Sequence, residues 1–160
     1  KAAALALHQA QSVQIYGVAA SAILAEYLHY KLLRLGKPAQ LFSDMHRAAM
    51  NATTLCKNTL VVAISSSGSA RGLLHVLKLA RKQGVRVLAL SNTPRSPLAS
   101  LSDIQLVAAK PEGPLSAGAL NAKVGVMLLV ELLTTSLIAL DDKYSDVSRQ
   151  TASATLPLLL

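Results

Sequence analysis

Short apolar stretches alternate along the chain with longer segments in which apolar residues recur every three or four positions. The clearest stretch is 59–64 (Thr-Leu-Val-Val-Ala-Ile), which is almost wholly apolar and rich in β-branched side chains. Such a run is typical of a strand buried on both faces of a parallel sheet. After the next loop, the apolar residues fall on one helical face, at Leu73, Val76, Leu77 and Ala80. The pattern predicts a buried strand that leads through a loop into a helix.

The same alternation extends over most of the chain. Strands are predicted at 13–16, 39–42, 59–64, 85–90 and 104–107, and helices at 1–11, 19–35, 44–53, 70–83, 98–101 and 116–140. Gly36 and Pro38 supply the stop signal after the first long helix, and Ser43 is the predicted N-cap of the next one. This order predicts an α/β fold, a three-layer α/β/α sandwich around a five-stranded parallel sheet with right-handed crossovers.

The long helix near the C-terminus is apolar nearly all round from Val124 to Leu140. This run is short for a bilayer span and contains polar residues, so a buried helix that packs against the sheet and a second subunit is the better interpretation. Glu131 within it needs a partner if buried, and a structural ion pair is favoured over a general base. We divide the chain into a connector helix (1–11), a main domain (12–142) and a C-terminal tail (143–160) that either docks on a partner or frays.

Composition restricts the class of protein. Apolar residues make up 52% of the 160 residues, which argues against a disordered chain. The one cysteine, Cys56, excludes an intramolecular disulfide and fits a cytoplasmic protein, and no signal-peptide pattern opens the chain. The net charge of +8 is scattered, and a single phenylalanine without tryptophan argues against base stacking by this segment. His8, His29 and His75 are spaced unlike metal ligands, so neither a metal nor a cofactor is predicted. The first residue is Lys1, not methionine, and we expect a piece of a longer protein.

The loop after the third strand, Ser65-Ser-Ser-Gly-Ser69, carries the candidate chemistry. Backbone N–H groups at a helix start lack intrahelical partners, and the helix dipole favours an anion there, so small hydroxyl residues at this place suit a phosphate. A plain turn with an N-cap is the alternative, but one serine would suffice for it. Lys123, near the start of the long helix, either reaches the bound anion or is solvated.

Three common enzyme motifs are absent from the sequence. The segment Gly17-Val-Ala-Ala-Ser21 supplies only the first glycine of a dinucleotide fingerprint, and Gly68-Ser-Ala-Arg71 lacks the Gly-Lys-Ser/Thr of a Walker A loop. No glycine lies two residues before Ser67, so a G-x-S-x-G nucleophile elbow is also missing.

Several segments resemble one known family. The segment Ile64-Ser-Ser-Ser-Gly-Ser-Ala-Arg71 resembles the phosphosugar-binding loop of the SIS (sugar isomerase) domain, and Tyr16-Gly-Val-Ala-Ala-Ser21 is similar to its first loop. Ser91-Asn92 with residues 96–103 resembles its fourth-strand region. The segments 42–46 (Phe-Ser-Asp-Met-His) and 115–119 (Leu-Ser-Ala-Gly-Ala) are most similar to the C-terminal sensor domains of RpiR/MurR-type transcriptional regulators. The resemblance covers about residues 12–140 and implies a flavodoxin-like fold.

The resemblance also implies where the ligand is bound. The serine-rich loop would contact the phosphate, and the first loop would line the pocket. Ala70 stands where the family usually has threonine, which removes one hydroxyl donor, and Ser69 stands where glutamate is usual. The predicted phosphosugar-binding residues are Gly17, Ser21, Ser65, Ser66, Ser67, Gly68, Ser69 and Lys123.

By this resemblance, the chain is the phosphosugar-sensing effector domain of a bacterial regulator of carbohydrate metabolism and is not an enzyme. It would be cytoplasmic, a homodimer or homotetramer without a membrane partner, and would reach DNA through an N-terminal helix-turn-helix domain outside this chain. Two alternatives stay open. One is an aldose–ketose isomerase on the same fold that moves a proton with His46 and Asp44. The other is an accessory phosphosugar-binding protein without a DNA partner.

Overall fold

The computed structural model describes residues 1–108 and 120–158. Within them the helices are α1 (Ala2–Gln9), α2 (Ala20–Arg34), α3 (Met45–Ala52), α4 (Arg71–Lys82), α5 (Pro97–Ser100), α6 (Leu120–Ile138) and α7 (Lys143–Thr155), followed by a 3₁₀ turn (Leu156–Leu158). The strands are β1 (Ser12–Gly17), β2 (Ala39–Phe42), β3 (Thr59–Ile64), β4 (Arg86–Ser91) and β5 (Ile104–Val107). The predicted loop at 110–114, the segment 115–119 and the predicted start of the long helix at 116 lie outside the described residues.

The five strands form one parallel sheet in the order β2-β1-β3-β4-β5. The chain therefore adds β2 on one side of β1 before it crosses to β3 on the other side. Gly17 at the end of β1 pairs in register with Ile64 at the end of β3. Where the direction of winding reverses, the two crossovers leave a crevice at the carboxyl ends of the strands, and parallel α/β sheets bind ligands there. In this protein that crevice lies between β1 and β3.

Apolar side chains cover both faces of the sheet, which is why all six residues of β3 are buried. On one face, Leu28 of α2 and Val130 of α6 pack with Ile15. On the other face, Leu77 of α4 packs with Val61, in the same cluster as the buried alanines of α3. Each fully buried leucine stabilises the fold by about 1.5–3 kcal/mol. The predicted α/β fold, a three-layer sandwich around a five-stranded parallel sheet, is confirmed.

The N-cap residue of helix α3 differs from the predicted one. Asp44, not Ser43, is the N-cap residue, because its carboxylate accepts a hydrogen bond from the Arg47 amide at 2.8 Å. An N-cap side chain satisfies the amide two or three positions into the helix. The helix begins at Met45, so Asp44 occupies the position from which a side chain can do this.

The segment after residue 142, for which docking and fraying were both left open, contains the helix α7. Tyr144 is buried, and its hydroxyl lies 3.2 Å from Nδ1 of His8 in α1. The Thr151 hydroxyl donates to the Arg34 carbonyl at 3.0 Å, which ties α7 to the end of α2. Helix α7 therefore docks on its own chain. The domain boundaries at 11/12 and 142/143 stay predictions.

Helix α6 is buried along one side and exposed along the other. Val126, Val130 and Leu137 are fully buried, whereas Leu128 and Leu132 are more than half exposed. Among the residues that the structure describes, no single helix has both the length and the apolar character to cross a membrane. Two consecutive helical segments have the necessary length and apolar composition only when they are taken together. They are Ala122–Ile138 and Lys143–Leu158, and the chain bends by 114° between them.

Glu131 links α6 to α2. Its carboxylate accepts hydrogen bonds from the Tyr27 hydroxyl and from the Lys31 ammonium, the latter at 2.9 Å. The predicted structural ion pair is thereby confirmed. The bond from Tyr27, and after it the bond from Lys31, lowers the pKa of the Glu131 carboxyl, because both favour the ionised form.

We expect Tyr27→Phe to raise the pKa of the Glu131 carboxyl towards its ordinary value of 4.5, as followed by carboxyl ¹³C NMR. A carboxyl whose pKa is lowered by folding stabilises the protein above its unfolded pKa, and the effect is lost as the pH falls through the folded pKa. Because the pair is partly exposed, the loss amounts to less than about 1 kcal/mol. Tyr30→Phe, one turn further along α2, is the control, since Glu131 is bonded to Tyr27. Equal pKa values in wild type and Tyr27→Phe would contradict the assignment.

Candidate functional site

The serine loop, residues 65–69 between β3 and α4, lies at the crevice between β1 and β3. Gly68 has a φ of +64°, in the left-handed region that glycine enters without strain. A Cβ atom at this position would lie 2.3 Å from Ser96 Oγ, so the loop packs directly on the segment after β4. The Gly68 amide donates to Ser65 Oγ at 3.2 Å, and the Gly68 carbonyl accepts from the Leu98 amide at 2.9 Å. These contacts hold the loop in one conformation.

Ser67 and Ser69 form the exposed part of the serine loop. Ser67 Oγ accepts hydrogen bonds from the Ser69 amide and hydroxyl at 3.3 and 3.0 Å. Helix α4 follows without a side-chain cap, because its N-cap is Ala70, and its first turn contains no acidic residue. Instead, Arg71 places a positive charge at the positive end of the helix dipole, which is unfavourable until an anion binds. Uncapped amides, hydroxyls and a cation therefore all favour an anion here.

Lys123, in the first turn of α6, reaches the serine loop. Its ammonium donates to Ser66 Oγ at 3.0 Å, and Ser66 is buried. The Ser66 carbonyl accepts two more bonds at 3.1 Å, from the Asn92 amide and the Thr93 hydroxyl. The Lys123 side chain therefore contacts the serine loop, and the predicted contact with a bound anion stays a prediction.

Gly17 and Ser21 lie on the neighbouring turn, between β1 and α2. A Cβ atom on Gly17 would lie 2.9 Å from Ala25 Cβ and from the Ser21 carbonyl oxygen, so glycine permits the close approach of α2 to β1. Ser21 is buried, and its amide donates to the Val18 carbonyl. Ala19 has a φ of +50°, a strained conformation for a non-glycine residue, and such strain is concentrated at binding sites. This turn forms the β1 side of the crevice.

Three residues of the site were not among the predicted ligand-binding residues. Arg71 is the first residue of α4. The backbone N–H of Asn92 donates a hydrogen bond to the Ser66 carbonyl. Ser96 packs against Gly68, and its hydroxyl caps α5. The order of the strands could have identified Asn92 and Ser96. Because β3 and β4 are neighbours in the sheet, the segment after β4 must lie beside the serine loop after β3. Sequence alone does not give that neighbourhood.

The possible proton-transfer pair, Asp44 and His46, lies at the start of α3. The Asp44 carboxylate is engaged as the N-cap, and His46 is exposed on the first turn. The Asp44 carboxylate thus has a structural role at the start of α3. Within residues 1–108 and 120–158, no group of three histidine, cysteine, aspartate or glutamate side chains is placed to hold a metal ion.

A comparison with families of known proteins identifies this arrangement. The sequence profile of the SIS domain matches residues 6–136. The chain belongs to the SIS domain family. This match covers the serine loop, the turn after β1 and most of α6, so the resemblance noted in the sequence is confirmed.

The relatives of this SIS domain include transcriptional regulators. An HTH-type transcriptional regulator of Caldanaerobacter subterraneus is 30% identical over 92% of this chain and 51% of its own length. The structure of Vibrio vulnificus NanR complexed with ManNAc-6P superposes with a TM-score of 0.94 at 44% identity, over 97% of this chain and 59% of that one. The sugar isomerase domain of the RpiR transcription factor from Sphaerobacter thermophilus superposes with a TM-score of 0.83 at 26% identity, over 95% and 84%. The chain spans about half the length of the curated relatives it matches.

Proposed function

We propose that this SIS domain is the effector-binding domain of an HTH-type transcriptional regulator and that its effector is a phosphorylated sugar. The observation that carries the proposal is the serine loop at the β1/β3 crevice, where uncapped α4 amides, exposed hydroxyls and the Lys123 ammonium lie at one place. A relative 44% identical to this chain, NanR, is complexed with ManNAc-6P. DNA binding, and with it a cytoplasmic location, would belong to a longer protein that contains this chain.

The same site argues for binding without turnover. Aldose–ketose isomerisation needs a positioned base that moves a proton between two carbon atoms. One oxygen of the Asp44 carboxylate caps α3, and within residues 1–108 and 120–158 no hydrogen bond or ion pair joins His46 to a carboxylate. The relatives at 26–44% identity described above are regulators. We therefore infer that the sugar phosphate is an effector and not a substrate.

We further propose a dimer formed through the α2–α6 face. This face consists of exposed apolar side chains on the two helices: Ile23, Tyr30, Leu33, Val124, Leu128 and Leu132. The charges in its middle neutralise each other, because Lys31 pairs with Glu131. In a two-fold symmetric interface a patch meets its own copy, so a patch without excess charge is self-compatible. Large exposed apolar patches with polar rims mark surfaces that bind other proteins.

Calorimetry with ManNAc-6P tests the proposed site. We expect the chain to bind ManNAc-6P and not unphosphorylated ManNAc, because the serine loop contributes charge-dependent hydrogen bonds. Ser67→Ala should weaken binding about tenfold or more, since a hydrogen bond to a charged group contributes about 1.5–3 kcal/mol. Ser153→Ala, an exposed serine on α7, is the matched control and should leave the affinity unchanged.

Two results would count against the proposal. Equal affinities of wild type and Ser67→Ala would mean that the phosphate is held elsewhere. Conversion of the bound sugar phosphate into its aldose or ketose isomer, followed by ¹H NMR in the presence of the protein, would favour the isomerase alternative.

A further inference from the structure

The serine loop, the end of β4 and the first turn of α6 are joined in a closed ring of hydrogen bonds. The backbone N–H of Asn92 donates to the Ser66 carbonyl at 3.1 Å. The side-chain Nδ2 of the same residue donates to the Ala122 carbonyl at 3.3 Å. Lys123, the next residue of α6, returns to the same serine through its 3.0 Å bond to Ser66 Oγ. One residue, Asn92, thus spans from the loop to the helix.

The Asn92 side chain lowers the stability of the fold at this position, because one of its polar atoms is buried without a partner among the described residues. Only 1% of its surface is exposed, and its Oδ1 accepts no hydrogen bond from any residue that the structure describes. A buried acceptor without a donor destabilises a protein, because the group loses its bonds to water and gains none in return. A leucine of similar volume would avoid that cost, so packing alone does not explain the amide. What the amide provides is its Nδ2 donor, aimed at the α6 backbone.

We propose that Asn92 is a positioning residue for phosphosugar binding and that it acts through Lys123. Its bond to Ala122 fixes the first turn of α6, which places the Lys123 ammonium over the serine loop. This inference rests on the proposed function, since it assumes that the loop holds a phosphate. It assigns a share of the affinity to a residue that bonds to the serine loop and to α6.

The ring also gives the bound phosphate a route to α6. A phosphate in the serine loop competes with Ser66 Oγ for the Lys123 ammonium, and Lys123 lies one residue before Val124, where the α2–α6 face begins. A ligand shifts an equilibrium only by its different affinity for the two states. A phosphate that binds Lys123 more tightly in one arrangement of the first turn of α6 than in another would supply such a difference.

A double-mutant cycle tests the proposal, with the affinity for ManNAc-6P measured by calorimetry in wild type, Asn92→Leu, Lys123→Met and the double variant. We expect each single variant to bind about tenfold more weakly. The double variant should be no more than about twofold weaker than Lys123→Met, because residues that act through one another are not additive. Additive effects, about a hundredfold in the double variant, would overturn the proposal.

Two further variants keep the test decisive. Asn51→Leu removes a partly buried hydrogen bond from the Tyr16 hydroxyl, 2.7 Å long, in the opposite layer. It controls for loss of stability and should leave the affinity within about twofold. Asn92→Asp keeps the shape of the asparagine side chain, and its ionised carboxylate has no hydrogen-bond donor. It should show the same non-additive effect on affinity when combined with Lys123→Met. This variant replaces Asn92→Leu in the cycle if the latter does not fold. Absence of wild-type binding overturns the proposed function, whereas wild-type binding with additive effects overturns the role of Asn92 alone.

Discussion

Gly68→Ala is expected to lower the free energy of unfolding by about 3 kcal/mol and to abolish phosphosugar binding. The φ of +64° costs an alanine about 1–2 kcal/mol, and a new Cβ atom would lie 2.3 Å from Ser96 Oγ and 2.6 Å from Ser96 Cβ. Ser96 is buried and caps α5, so it cannot move without breaking its bond to the Ala99 amide. Overpacking of this kind adds about 1–3 kcal/mol.

The control for Gly68 is Gly84, the glycine that follows α4. Its φ is +72°, but no atom lies within 4 Å of an added Cβ. Gly84→Ala should therefore show only the backbone cost, about 1–2 kcal/mol, with unchanged ligand affinity. Urea denaturation measures both variants, and calorimetry with ManNAc-6P measures both affinities. Equal destabilisation by the two substitutions would show that the contact with Ser96 is unimportant.

The sheet could be predicted from the sequence because its strands are short, mostly apolar runs between helical patterns, a signature that the edge strands β2 and β5 share with the fully buried β3. The predicted bounds of β2, β3 and β5 coincide with those of the structure. Helix α7 left no such signature. Tyr144 is its one buried residue among those described, and the docking of α7 depends on polar contacts such as that of the Thr151 hydroxyl with the Arg34 carbonyl. A pattern of apolar residues cannot report contacts of that kind.

Gly17, Ser21 and Lys123 were among the predicted residues, but the contacts that join the separate segments of the candidate site could not be predicted. The serine loop lies between a strand and a helix, and that order is written in the sequence. The contacts that organise the loop are long-range: Lys123 is 57 residues from Ser66, and Asn92 is 30 residues from Ala122. They depend on the order of the strands and on where α6 begins, and periodicity determines neither.

Leu128→Asp is expected to convert the proposed dimer into a monomer in analytical ultracentrifugation. Leu128 is 58% exposed near the middle of the α2–α6 face, so the substitution leaves the core of one chain intact. In a two-fold symmetric interface, each copy would bring a carboxylate into the apolar patch. Desolvation and repulsion of like charges cost several kcal/mol, and about 3 kcal/mol corresponds to a dimer dissociation constant raised at least a hundredfold.

Met50→Asp is the matched control for this prediction, because Met50 is 71% exposed on α3, in the layer on the opposite face of the sheet. It introduces the same charge into an exposed apolar position and should leave the dimer intact. If both variants stay dimeric, the α2–α6 face is not the interface. If Met50→Asp alone dissociates, the interface lies on the α3 layer instead. In that case the contact between Lys123 and Ser66 would still join ligand and helix, but α6 would have no second subunit to act on.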